Sequence, residues 1–271
     1  MLKPNSPPIS SRYAPATDLS PDSLRERQVA TNTPNQPVTS STLNAVDIFR
    51  GLSQQEREII CPMFSGASFE TGDIIIRQRD SDRGIFFLVS GSVRVRFYSK
   101  PGREIFFRDL TAGRMFGELS AIDGEPRSAE VTANQQSFVI FTTRESFRDL
   151  RHTYPDIADY TLRHLATSVR ILTERVVEHS SLSAKVRIYI ELIRLARDES
   201  DVLNGNAVIR STHTDIAHKV STTREAVTRE IAGLTTANIL EKRGRRAPLV
   251  VKDLERLEEI VRHTVGELPA Y

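Results

Sequence analysis

Between Ser92 and Tyr98 the chain alternates, with Val93, Val95 and Phe97 on one side and Arg94 and Arg96 on the other. A period of two predicts a strand with one buried face. Residues 74–76, 85–89, 105–107 and 138–141 are further strand candidates, and glycines punctuate the whole stretch from Gly66 to Gly124. Many short strands with glycine turns predict a small closed barrel or sandwich. Ahead of them, Ile48, Phe49, Leu52, Ile59 and Ile60 predict one or two short helices.

After Thr143 the period changes to that of helices. Residues 144–150 predict a short helix, and Pro155 opens a much longer one. In it Leu162, Leu165, Val169, Leu172 and Val176 are spaced three, four, three, four, with Arg163, Arg170, Glu174 and Arg175 alongside. That is the seam of a coiled coil. A helix lying only on its own barrel would carry a wider stripe, so the seam favours a partner helix, and a second copy is the simplest partner. Residues 183–250 follow as a helix over 184–197, two shorter helices and a two-stranded wing. A last amphipathic helix over 253–265 carries Leu254, Leu257, Ile260 and Val261 on one side.

The expected boundaries are a tail over 1–42, a barrel domain over 43–155, a dimerisation helix and hinge over 156–182, and a second domain over 183–271. The tail holds seven of the thirteen prolines and one aromatic, Tyr13. It cannot bury enough apolar surface to offset the entropy of ordering, which predicts disorder there, with a weak helix over 20–29 at most. The single Cys61 excludes an internal disulfide framework and a four-cysteine cluster within one chain, and reads as a buried apolar residue. No apolar run approaches membrane-spanning length and the first residues lack a signal-peptide core, so the expected compartment is the cytoplasm, with no membrane partner.

Chemistry concentrates in two places. Residues 116–131 read F-G-E-L-S-A-I-D-G-E-P-R-S-A-E-V. Gly117 permits close backbone approach, and the turn that follows can aim N–H groups at an anion. Arg127 offers a fork suited to phosphate oxygens, Ser128 a hydroxyl, and Glu118 an acceptor for a sugar hydroxyl. Alone, Glu118 could be a helix cap and Arg127 a surface cation; together they describe a ribose joined to a charged phosphate.

The second place is the helix–turn–helix pattern over 212–234. Ile216, Ala217 and Val220 form the apolar face of its first helix, Ser221, Thr222 and Thr223 supply the turn and cap, and Val227, Ile231 and Leu234 anchor the second. Thr212 and His213 open the first helix, while Arg224, Glu225 and Arg229 present the start of the second to a groove. Net charge is only +2, yet residues 210–246 hold eight Lys or Arg against four Asp or Glu. Lys242, Arg243, Arg245 and Arg246 cluster where the wing should turn, as phosphate contacts require.

The first run resembles the phosphate-binding cassette of cyclic-nucleotide-binding domains, F-G-E-(L/I)-A-L followed by P-R-x-A. The recognition helix, Arg224-Glu225-x-Val227-x-Arg229, is similar to that of the cyclic-AMP-receptor branch of the Crp–Fnr family; the resemblance spans roughly 43–251. It implies an α+β chain with a jelly-roll-like nucleotide-binding β-barrel, a long dimerisation helix and a C-terminal winged helix–turn–helix. It also implies that Glu118 takes the ribose 2′-hydroxyl and Arg127 the cyclic phosphate. Gly117, Leu119, Ser128 and Ala129 would line the cassette, Val95 the barrel wall, and Thr173 of the long helix the base. Cyclic AMP is favoured over cyclic GMP because cyclic-GMP-selective domains frequently carry Thr where this chain has Ser128. Leu172, standing where a second polar residue is expected, leaves base selectivity open. Double-stranded DNA with inverted TGTGA half-sites, a second copy and RNA polymerase are the implied partners, with Thr212, His213, Thr223, Arg224, Glu225 and Arg229 on the DNA. Rival readings are a ligand-independent DNA binder with an empty barrel and a nucleotide-binding module of a larger signalling complex. An enzyme is disfavoured, because no nucleophile–base set or metal-ligand cluster is evident and the six histidines are scattered.

Overall fold

The computed structural model describes residues 37–98, 104–198, 202–203, 206–242 and 248–265. The weak helix over 20–29 and the wing cations Arg243, Arg245 and Arg246 lie outside the described residues. The chain divides into two compact units, one holding the chain up to Arg94 with Asp109–Ile157, the other Val95–Arg108 with the chain from Ala158.

The first unit opens earlier than the sequence suggests, with helix α1 (Ser40–Asn44), which Thr39 caps by accepting from the Thr42 N–H. Helix α2 (Gln54–Ile60) starts in a capping box, Ser53 with Glu56, which satisfies two orphan N–H groups reciprocally. Eight strands follow: β1 (Ser65–Phe69), β2 (Ile74–Ile76), β3 (Ile85–Ser90), β4 (Ser92–Tyr98), β5 (Glu104–Thr111), β6 (Met115–Phe116), β7 (Glu130–Ala133) and β8 (Ser137–Thr142). They form two four-stranded sheets, ordered β1-β8-β3-β6 and β2-β7-β4-β5. The alternation that predicted β4 holds for Val93 and Val95, buried between partly exposed arginines, and ends at Phe97, which is only half-buried. Strand β3 is instead a continuous buried run, and its Phe87 meets Phe49 and Phe147 at ring-centroid distances of 5.0 and 6.3 Å. Between β6 and β7 lies the short helix α3 (Glu118–Asp123), and after β8 comes α4 (Arg144–Thr153), capped by Thr143. Cys61 is half-buried in a 3-10 turn rather than buried: Ile60 takes the core position and leaves the thiol at the rim.

Helix α5 (Pro155–Ser181) begins with proline at its first position, where no N–H is missed. Its seam residues Leu162, Val169, Leu172 and Val176 are 66, 61, 43 and 64 % exposed, an apolar stripe left uncovered within one chain. The second unit continues with α6 (Ala184–Asp198), β9 (Val202–Leu203), β10 (Asn206–Ile209), α7 (His213–Lys219), α8 (Arg224–Thr236), β11 (Leu240–Lys242), β12 (Leu249–Val251) and α9 (Leu254–Val265). The expected two-stranded wing is part of a four-stranded sheet, β11-β12-β10-β9, because β12 also pairs with β10. One core joins α6, α7, α8 and α9 through Leu192, Ile216, Val227, Ile231 and Leu257. Beneath it Glu191 and Glu178, 4 and 7 % exposed, share Arg194, and Lys219 reaches Glu191 at 3.5 Å. Arg187 adds bonds to the carbonyls of Leu182, at 2.7 Å, and Val220, at 3.1 Å.

Candidate functional site

The cassette forms because Gly117 adopts φ +74°, a left-handed conformation that turns β6 into α3. A Cβ at this position would stand 2.6 Å from Arg127 Nη1, so only glycine admits the guanidinium so close. Helix α3 has no side-chain N-cap, Gly117 standing at that position. Glu118 is 8 % and Arg127 3 % exposed; Ala129 and, on β4, Val95 are also buried, whereas Leu119 and Ser128 are exposed.

Arg127 is held on several sides. Nη1 donates to the Gly117 carbonyl at 2.8 Å, and Nη2 donates to the Gly84 carbonyl at 2.7 Å and to the Asp82 carboxylate. Phe86 lies 5.3 Å beneath the guanidinium carbon, and Nε is buried without a partner. The backbone of the preceding loop also grips this residue: the Arg127 N–H donates to the Asp80 carbonyl, and the Arg79 N–H donates to the Arg127 carbonyl. Asp82 was not among the sequence-derived candidates. It lies 45 residues before Arg127, and only the D-S-D-R-G turn between two strands hinted at it.

Thr173 is exposed on α5, its hydroxyl donating to the Val169 carbonyl at 2.9 Å. In the second unit, Thr212 and Thr223 are the N-caps of α7 and α8. Arg224, Glu225 and Arg229 are all exposed at the start of α8, and Val227 anchors the helix from behind. A cleft of about 590 Å³ beside them is lined by Arg210, Thr212, His213, Arg224 and Lys242. Thr228 donates its hydroxyl to the Arg224 carbonyl, so it accepts from His213 Nδ1–H at 2.9 Å. His213 Nε2 then faces the Lys242 ammonium at 3.5 Å. Burial, Lys242 and Arg224, in that order, hold this imidazole below its ordinary pKa. Neither Arg210 nor Thr228 stands out in the sequence: Arg210 precedes the turn, and the role of Thr228 rests on its contact with His213, 15 residues away.

A nucleotide-type cassette in a β-barrel, joined in one chain to an exposed recognition helix with a wing, defines a DNA-binding regulator with an effector domain. Residues 67–154 match the cyclic nucleotide-binding domain, and residues 186–260 match the Crp-like helix-turn-helix domain. The chain belongs to the Crp–Fnr family of transcription regulators. It is 28 % identical over 218 residues to the cyclic AMP receptor protein of Thermus thermophilus, covering 79 % of this chain and 95 % of that one. It is 23 % identical over 214 residues to the CRP-like cAMP-activated global transcriptional regulator of Mycobacterium tuberculosis, covering 78 % and 94 %. A CooA mutant from Carboxydothermus hydrogenoformans shares the fold, with a TM-score of 0.68 at 19 % identity, over 80 % of this chain and 95 % of that one. Among the described residues no helix is long and apolar enough to cross a membrane, and no His, Cys, Asp and Glu group is suited to a metal ion.

Proposed function

We propose that this regulator is a homodimer whose affinity for an inverted TGTGA-type DNA site rises when cyclic AMP enters each barrel. The cassette fits a cyclic nucleotide: Gly117 admits close backbone approach, Arg127 supplies a fixed cation and Glu118 a buried carboxylate. In this reading Arg127 meets the cyclic phosphate and Glu118 the ribose hydroxyl. The resemblance assigns the wall to Val95, Leu119, Ser128 and Ala129, and the base contact to Thr173. The exposed seam of α5 pairs with that of a second copy, which spaces the two recognition helices by about one DNA turn. Arg224 and Arg229 grip guanine, Glu225 accepts from cytosine, and Thr212, Thr223 and Lys242 hold phosphates, with His213 Nε2 steadying the Lys242 ammonium. RNA polymerase is the protein partner this class of regulator addresses. The observation that carries the reading is the arginine of the cassette held rigidly beside the left-handed glycine.

One observation favours a second reading. Both Nη atoms of Arg127 are already engaged by Asp82, Gly84 and Gly117, so a ligand-independent DNA binder whose barrel is internally neutralised is the rival. Binding of the purified protein to an inverted TGTGA duplex, with no nucleotide, cyclic AMP or cyclic GMP at one salt concentration, separates the two. Tightening by a nucleotide supports the switch and identifies the base; specific binding unchanged by both supports the rival.

A further inference from the structure

Helix α4 carries three arginines on one face, since Arg144, Arg148 and Arg151 are spaced by four and three residues. They line a cleft of about 120 Å³ closed by Ala121 and Ile122 of α3 and by Glu145. Like charges at this spacing destabilise an isolated helix, so the cluster costs stability unless something compensates it. Internal compensation is slight. Among the described residues Arg148 meets only its neighbour Asp149, at 3.4 Å with both side chains well exposed, and no ion pair joins Glu145 to any of the three. Arg151 lies with its guanidinium carbon 5.0 Å from the Phe147 ring centroid, and its Nε is buried without a partner. Burial, and then the charge of Arg144, push its pKa below the ordinary guanidinium value. Arg144 in turn reaches the Ile122 carbonyl at the end of α3, at 3.5 Å, and rests against Gly124.

We propose that this cleft is a second anion site, separate from Arg127, that takes one tetrahedral phosphate-type oxyanion through the guanidinium groups of Arg144, Arg148 and Arg151. The cleft has room for one oxyanion and no nucleoside. A larger ligand would therefore insert a terminal phosphoryl group and leave the rest in solvent. Three forked cations, set against the single lining carboxylate of Glu145, supply the donors such a group needs. Because Arg144 also touches the end of α3, an anion here would be felt by the cassette helix.

The test is titration of the full chain with inorganic phosphate, pyrophosphate and ADP against chloride at matched ionic strength. Calorimetry gives the affinity, and the Nε–H resonance of Arg151 serves as the local reporter. A saturable response is expected, weakened about tenfold by Arg148→Gln, a loss of one charge-assisted contact worth about 1.4 kcal/mol. Arg151→Lys, which keeps charge but not the fork, should weaken it as well, while both variants keep wild-type affinity for cyclic AMP. Tighter binding of ADP than of phosphate would point to a metabolite end, and the reverse to the free ion. Three results would overturn the proposal: a response no larger than that of chloride, one unchanged in both variants, or one abolished by saturating cyclic AMP.

Discussion

Two cationic regions of this chain, at Arg127 and at the start of α8, are built on opposite terms. Arg127 is almost wholly buried, its Nη donors matched by Asp82, Gly84 and Gly117, whereas Arg224 and Arg229 stand exposed at the start of α8. The first is fixed before any ligand arrives. The second stays hydrated, and its charge is available to a large polyanion that releases counterions as it docks. A site for one small anion can be written into the core, where desolvation makes each contact strong and each error costly. A site for DNA has to remain on the surface.

The sharpest way to break that contrast is to remove each arginine in turn. Arg127→Ala leaves Asp82 buried and unpaired, so chemical denaturation should show the barrel losing about 3–5 kcal/mol. Equal stability for the variant and the parent would mean that the pair is not buried in solution. Arg224→Ala should leave the denaturation midpoint unchanged and cost about 1–3 kcal/mol of specific DNA binding, with relaxed preference at one base pair. Asp82→Asn keeps the shape but removes the internal competitor, and calorimetry should then show cyclic AMP binding roughly tenfold tighter, about 1.4 kcal/mol. Unchanged affinity would show that Asp82 and nucleotide do not compete for Arg127.

The smallest effect concerns alkaline pH. Tyr189 of α6 donates its hydroxyl to Glu230 of α8 at 3.1 Å, and burial followed by that carboxylate pushes its pKa from 10 up to about 12. A folded-state pKa above the unfolded value gives stability that is complete below pH 10 and lost as pH rises from 10 toward about 12. Tyr189→Phe should flatten the stability of the second unit across that window, as read by thermal melts.

Where the sequence was legible, one physical pattern decided the outcome. Strand β4 announced itself by alternation, α8 by three anchors and a cap, and the cassette by a dense local run. Strands β1, β6 and β7 passed unnoticed because none carries three apolar residues in a row, and their burial comes from β8, β3 and β2, which lie far away in the chain. The same limit hid Asp82: a partner 45 residues distant leaves no periodic trace. Ser221 is a different case, since its φ of +49° in the turn before α8 is a conformation that serine rarely adopts. Only the neighbouring hydroxyl residues signalled a turn there.

The buried carboxylates at the foot of α5 have a mechanical consequence. Glu178, Arg194, Glu191 and Lys219 tie the last turn of that helix to α6 and to α7, and Arg187 adds the carbonyls of Leu182 and Val220. Bending between these three elements would strand charge away from water, so the assembly resists flexing. The end of α5 is therefore pinned to the frame that carries the recognition helix by buried charge as well as by apolar packing.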